Sequence, residues 1–328
     1  MTRSTRTSVP AIPAAPSLRA VVAARAAEYG LRPLNCAIPL NTPGIWFART
    51  LIATIMAAAG PTLPGTTVTR VRAGAVRGEW VRAPGVPFGT KVVYYIHGSG
   101  YVLCSARTHR GLAARLSKRT GLPVFLTDYR LAPEHPFPAA ADDVEAGYRW
   151  LLDRGTDAKD IVIACDSAGG HLALDLLIEN GRRRGPQPAA VTMFSPLLDL
   201  TLGLAAEQER RQRDPVISAT AAARLPRRYT SGLADDAPRL RLTIPDGIEL
   251  PPILVQAGGA EMLSADARAL HAMVRAAGGV CELEIWPGQV HVFQALPLLT
   301  PEADQALARA ADFLRAALVA PTVSEKVS

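Results

Sequence analysis

The six residues Cys165-Asp166-Ser167-Ala168-Gly169-Gly170 lie between an apolar run at 161–164 (IVIA) and a helix-forming run at 172–177 (LALDLL). A serine is held on a sharp strand-to-helix turn. Small residues two before and two after it let the backbone turn tightly, so the hydroxyl stands above a sheet with a helix N-terminus beneath it. An activated serine nucleophile needs this setting. A serine that only caps a helix is the plain alternative, and other segments decide between the two. Cys165 stands where the usual G-x-S-x-G pattern has its first glycine.

Upstream, the apolar strand at 92–96 (VVYYI) runs into His97-Gly98-Ser99-Gly100-Tyr101. This loop has little side-chain bulk and can turn its amides toward a ligand. Acyl transfer uses such donors, because amides fixed in advance stabilise the oxyanion of a tetrahedral intermediate by roughly 3 kcal/mol each. Gly98-x-Gly100 after a strand also suits a dinucleotide-binding turn. Against that, Leu103 occupies the third glycine position, and Asp128, ending the next strand at 123–127, falls later than the ribose-binding acid expected about 20 residues on.

With 328 residues, 48% of them hydrophobic, the chain can bury a large core. Helices are predicted at 17–29, capped by Ser17 and stopped by Gly30, and at 45–59, ended by Gly60-Pro61. Strands follow at 66–72 and 76–82, then strands ending at Ile96, Thr127, Ala164 and Phe194, and two more at 252–256 and 280–286. A last helix near 301–318 has Thr300 as cap and Pro301 at its first position. Eight strands with intervening helices predict an α/β protein with a mostly parallel sheet. Between residues 197 and 251 the alternation lapses, which marks an insertion. The expected division is 1–65 as a disordered start and N-terminal cap helices, 66–199 and 251–318 as the two parts of the core, 200–250 as a cap insertion, and 319–328 as a disordered tail.

The net charge of +7 raises nucleic acid as a partner. The arginines are scattered in short clusters, such as 182–184 and 227–228, without the interleaved aromatics of a strand-binding groove, so a solvated surface is expected. Cys36, Cys104, Cys165 and Cys281 are far apart, with no C-x-x-C pair. They predict reduced thiols, no disulfide framework and no metal site. Pro10, Pro13 and Pro16 interrupt any signal-type apolar run, and no segment approaches the about 20 apolar residues of a membrane span. A cytoplasmic protein without an integral membrane segment is expected. Its state, monomer or homodimer, is left open.

Six segments in order, H-G-S-G-Y (97–101), D-Y-R-L-A-P-E-H-P-F-P-A (128–139), D-S-A-G-G (166–170), D-P-V-I-S (214–218), G-G-A-E-M-L (258–263) and H-V-F (291–293), are spread from position 97 to 293, over most of the chain. Together they resemble the hormone-sensitive-lipase-like branch of the α/β-hydrolases, which includes many bacterial carboxylesterases. The resemblance implies the α/β-hydrolase fold: an eight-stranded, mostly parallel sheet flanked by helices, with the N-terminal helices and the insertion as a helical cap. It also implies a metal-independent serine carboxylesterase, without cofactor, acting on short- to medium-chain, fairly apolar esters through an acyl-enzyme. An amidase or acyl transferase with the same triad is an alternative. So is a ligand-binding receptor on this fold, although such receptors lack the catalytic histidine. Ser99 and Cys165 replace family glycines, and both replacements are expected to alter the pocket's shape more than its chemistry.

In this fold the triad runs nucleophile, acid, base, each at the C-terminal end of a strand. His97, His109 and His135 precede Ser167, and His171 sits one turn into its helix. Of the remaining two, His271 falls within the amphipathic helix at 264–277, whereas His291 follows the last strand across Pro287-Gly288. His291 is therefore the expected general base. Residues 253–260 lead directly to Glu261, the expected acid at a position where the family often has aspartate, with Asp266 as runner-up. The resemblance carries the oxyanion hole onto the amides of Ser99, Gly100 and Ala168. His97, Gly98, Asp128, Arg130, Glu134 and Asp166 are expected to shape the loops, and Asp214 and Ser218 to be structural.

Overall fold

The computed structural model describes residues 11–98, 100–234, 236–237 and 239–319. Ser99, an expected oxyanion donor, lies outside the described residues, as do residues 1–10 and the tail from 320 whose disorder was expected. The chain opens with α1 (Leu18–Ala26), a π turn (Ala27–Leu31), α2 (Arg32–Ala37) and α3 (Thr42–Ala59). Ser17 caps α1 by accepting from the Ala20 amide at 3.2 Å. The expected stop at Gly30 is corrected, because helical backbone runs through it. Pro33 has no N–H to give to Tyr29 and sits in the first turn of α2, where that loss is harmless. The Arg32 amide reaches back five residues to Ala27 O, which is the π turn. α3 starts before the expected residue 45, because Asn41 caps it through Gly44 N at 2.9 Å.

The hairpin β1 (Thr67–Ala73) and β2 (Val76–Arg82) precedes β3 (Val92–Ile96), α4 (Ala106–Thr120), β4 (Val124–Thr127), α5 (Ala139–Asp153), β5 (Ile161–Asp166), α6 (Ala168–Arg182) and β6 (Ala190–Phe194). α7 (Gly203–Arg211), α8 (Ala219–Ala222) and α9 (Arg224–Thr230) lie between β6 and the next strand. β7 (Ile253–Gly258), α10 (Ser264–Ala276), β8 (Cys281–Trp286) and α11 (Glu302–Ala317) complete the order. Thr300 does not cap α11 as expected. Its hydroxyl donates instead to the side chains of Gln289 and Glu302, at 2.8 and 2.6 Å.

The eight strands form one sheet in the order β1-β2-β4-β3-β5-β6-β7-β8. β2 is antiparallel to β1 and β4, and every other neighbouring pair is parallel. All residues of β3, β5, β6 and β7 are buried, which is why their sequences read as unbroken apolar runs. Alternation then sends successive side chains to opposite faces. Tyr94, Ile96 and Ile163 pack with Tyr148 of α5 and Leu172 of α6. Val93, Tyr95 and Val162 pack with Leu116 of α4 and Leu307 of α11. Each large side chain so buried contributes about 1.5–3 kcal/mol. Among the described residues no helix is long and apolar enough to cross a membrane.

Candidate active site

One residue, Ser167, separates β5 from α6, and its backbone has φ +50° and ψ −122°. A non-glycine residue there is strained by about 1–3 kcal/mol and must be held by its surroundings. The Ser167 amide donates to Phe194 O at 3.0 Å, and its carbonyl accepts from Gly170 N and Leu197 N, both at 2.9 Å. A side chain at Gly169 would put its Cβ 2.2 Å from Ile96 O, so only glycine lets the turn pack this closely on β3. Cys165 is fully buried within β5, its Sγ 3.6 Å from Thr192 O. The expected effect of Cys165 on pocket shape is therefore corrected, since its side chain packs in the core beneath the sheet.

The structure brings Ser167, His291 and Glu261 into one hydrogen-bonded chain. His291 Nε2 lies 3.0 Å from Ser167 Oγ, and Nδ1 lies 2.5 Å from Glu261 Oε2. A carboxylate only accepts, so Nδ1 carries the proton and donates to Glu261, and Nε2 is left to accept from the serine. Burial disfavours the imidazolium, but the carboxylates of Glu261, Asp214 and Asp166 outweigh it and hold the His291 pKa above its ordinary 6.5.

Sequence reasoning missed Ser195. This fully buried serine follows β6 with φ +49°. Its hydroxyl donates to Glu261 Oε1 at 2.7 Å and accepts from Val292 N at 3.0 Å. Gly258 N adds a second bond to the same carboxylate oxygen at 2.6 Å, which leaves Oε2 for the histidine. One hydroxyl thus ties Glu261 to Val292, the residue after His291. The available signal was its place at the C-terminal end of a strand beside β5. Ser195→Ala leaves a buried acceptor and a backbone amide short of a partner, at a cost of about 1–3 kcal/mol. We expect kcat to fall about ten- to hundredfold with KM little changed, measured by steady-state kinetics beside a melting curve.

The runner-up acid Asp266 does not reach His291. It lies on α10, where its Oδ1 accepts from Leu198 N and Asp199 N, each at 2.9 Å. Its Oδ2 is buried without a partner among the described residues, and burial pushes its pKa up to about 7. His271, also on α10, makes none of the triad contacts.

The remaining motif residues hold loops in place. Tyr95 Oη donates to Asp166 Oδ1 at 2.8 Å, and a Cβ on Gly98 would fall 2.1 Å from Asp166 Oδ2. Asp166 therefore clasps the loop after β3. His97 Nδ1 lies 2.8 Å from Gly98 O, and its ring stacks on Tyr129 at 4.2 Å. Burial and the neighbouring His109 push its pKa down to about 4, so His97 is a neutral spacer. Asp128 accepts from Ala106 N at the start of α4, and Arg130 forks onto Asp143 as Arg49 does onto Glu134. Asp214 accepts from Val216 N, Ile217 N and Met262 N, tying the insertion to the loop that carries Glu261. Ser218 caps α8. Gly100 lines the cavity with φ +55°, and the Ala168 amide belongs to the first turn of α6, where amides lack helical partners. Both suit an anionic oxygen near Ser167.

The triad opens onto a cavity of about 320 Å³. Most of its wall is apolar, drawn from α1, α3 and residues 216–226, with Leu296 and Leu299. Arg224 reaches it too, but the guanidinium is spent on the carbonyls of Ala221, Asn35, Cys36 and Ile38. Asn35 Nδ2 is likewise bonded to Val216 O. Among the described residues no cluster of three or more His, Cys, Asp or Glu could hold a metal ion.

A family model described as α/β hydrolase fold matches residues 93–295. Carboxylesterase/phospholipase LipF of Mycobacterium tuberculosis is 37% identical over 270 residues, covering 79% of this chain and 72% of its own length. Esterase LipU of the same organism is 35% identical over 274 residues, covering 78% of this chain and 89% of its own. The crystal structure of an esterase from the bacterial hormone-sensitive lipase family superposes with a TM-score of 0.81 at 34% identity, over 92% of this chain and 97% of that one. Motifs, sheet order and relatives agree: the chain belongs to the hormone-sensitive-lipase-like family of the α/β-hydrolases.

Proposed function

We propose that the carboxylic ester hydrolysis catalysed by this enzyme runs through an acyl-enzyme on Ser167, with His291 as general base and Glu261 as its acid partner. His291 Nε2 takes the Ser167 proton as Oγ attacks the ester carbonyl. The amides of Gly100 and Ala168 stabilise the oxyanion; the family resemblance adds that of Ser99, which lies outside the described residues. His291 then returns the proton to the leaving alcohol, and a water molecule activated in the same way releases the acid. One observation carries this assignment: the Glu261–His291–Ser167 chain, at 2.5 and 3.0 Å, faces an apolar cavity.

The substrate class follows from the lining. Asp214, Asn35 and Arg224 are engaged with backbone groups, which supports uncharged esters. The cavity, about 320 Å³, lies at the small end of the ~300–1,000 Å³ range of ligand pockets. That favours short to medium chains. The N-terminal helices and α7–α9 act as the cap over this space. All four cysteines are free thiols, which supports residence in a reducing compartment, the cytoplasm.

Labelling with an organophosphonate and mapping the modified peptide tests the nucleophile. The label should fall on Ser167 alone, and a folded enzyme that is active yet unlabelled there would refute the assignment. The pH profile tests the base. His291 must be neutral to act, so kcat/KM on a non-titrating ester rises with pH through the His291 pKa. Because that pKa is raised, the acid limb should centre above 6.5. A limb centred below 6.5 would contradict the carboxylate-paired imidazole.

A further inference from the structure

α1 and α2 form one rod, joined by the π turn at residues 27–31. In an unbroken α-helix each fourth residue drifts about 40° round the axis, given 3.6 residues per turn. Four residues spaced by four would then spread over about 120°. The extra residue in a π turn cancels much of that drift. Ala23, Ala27, Leu31 and Asn35 accordingly all line the cavity that holds Ser167. At two of these positions the rod presents only a methyl group, facing a cavity that α3 walls with Leu51, Ile52 and Ile55.

This rod is pinned at both ends. At its start, Ser17 N and Oγ donate to Glu302 at 2.6 and 3.0 Å, and Pro16 packs on Gly288. At its end, Arg32 pairs with Glu209 at 2.7 Å, Asn35 bonds Val216 O, and Arg224 bonds the carbonyls of residues 35, 36 and 38. A larger side chain at position 23 or 27 would therefore project into the cavity instead of pushing the helix outward.

We propose that Ala23 and Ala27 determine the length of the hydrocarbon chain that the ester substrate can carry, the π turn serving to keep both methyl groups on the cavity wall. This rests on the ester-hydrolase reading above, and the chain measured is either the acyl or the alcohol portion. The test uses the full-length enzyme with Ala27→Phe and, separately, Ala23→Leu. One assay arm is a series of p-nitrophenyl esters from acetate to decanoate. The other is a series of acetate esters of linear alcohols from ethanol to decanol. Acetate turnover with a short alcohol should stay within about threefold of the parent. At the longest chain the parent accepts, kcat/KM should fall about ten- to two-hundredfold, the range over which a pocket discriminates by a methylene.

A shortened profile in either arm supports the proposal and identifies the portion measured. Unchanged profiles in both arms, with acetate turnover intact, would overturn it. So would loss of acetate turnover and phosphonate labelling together in both variants, because positions 23 and 27 would then be supporting the fold. If the parent itself neither turns over acetate esters nor takes the label, the hydrolase reading fails instead.

Discussion

Ser167→Ala lowers ester turnover by about four to six orders of magnitude and leaves the fold intact. The serine hydroxyl bonds the imidazole of His291, whose side chain keeps 28% exposure, so its removal strands no deeply buried polar group. Alanine must adopt the same left-handed φ of +50°, but the amide and carbonyl bonds that impose it belong to the backbone and survive. The melting temperature should therefore shift by no more than a few degrees, corresponding to about 1 kcal/mol. Stopped turnover, a preserved melting curve and absent phosphonate labelling are the three measurements. Retention of more than about one part in a thousand of parental activity would exclude Ser167 as the covalent nucleophile.

Glu261→Gln has the second largest expected effect, about three to four orders of magnitude in kcat. Gly258 N and the Ser195 hydroxyl both point at one carboxylate oxygen, so the glutamine carbonyl takes that place and its NH₂ faces His291. The NH₂ then donates to Nδ1, which puts the imidazole proton on Nε2, where it can no longer accept from Ser167. Asp266→Asn leaves turnover within a few-fold, because its carboxylate serves Leu198 N and Asp199 N. Its effect lies in stability. The folded-state pKa is raised to about 7 from an ordinary 3.8, so the native state binds the extra proton in between. That contribution is complete below pH ~4 and is lost as pH rises through about 7. The asparagine variant should show a flatter stability profile over this window by denaturant titration. Should Asp266→Asn cripple turnover while Glu261→Gln is nearly silent, the acid is misassigned.

Much of this site was legible because its parts are local. A strand, a small-residue turn around Ser167 and a helix start occupy fourteen consecutive positions, 161–174, and each carries its own signal. Glu261 and His291 could be placed because parallel strands put their C-terminal ends on one side of the sheet, so the residue after each strand is a candidate by topology. The unbroken apolar runs of β3, β5, β6 and β7 marked a sheet covered on both faces. Ser195 fulfils the same positional condition. It was missed because Ser-Pro after a strand also reads as an ordinary turn, and nothing local shows a carboxylate 66 residues away accepting its proton.

The sequence by itself determined the strand and helix order, the serine on its turn and the loops that carry His291 and Glu261, since hydrophobic period and turn chemistry act over a few residues. Tertiary structure decided which oxygen of Glu261 meets His291, that Ser195 holds the other, that Cys165 lies in the core, and that the helix runs on through Gly30. These depend on contacts between segments tens to hundreds of residues apart. Their distances are set only when β5, β6 and β7 pair in register and the N-terminal rod is pinned to Glu302 at one end and the insertion at the other. A π turn shows the reason most plainly. Pro33 forbids one hydrogen bond locally, and whether the chain then stops or bulges depends on the packing that rewards continuing the helix.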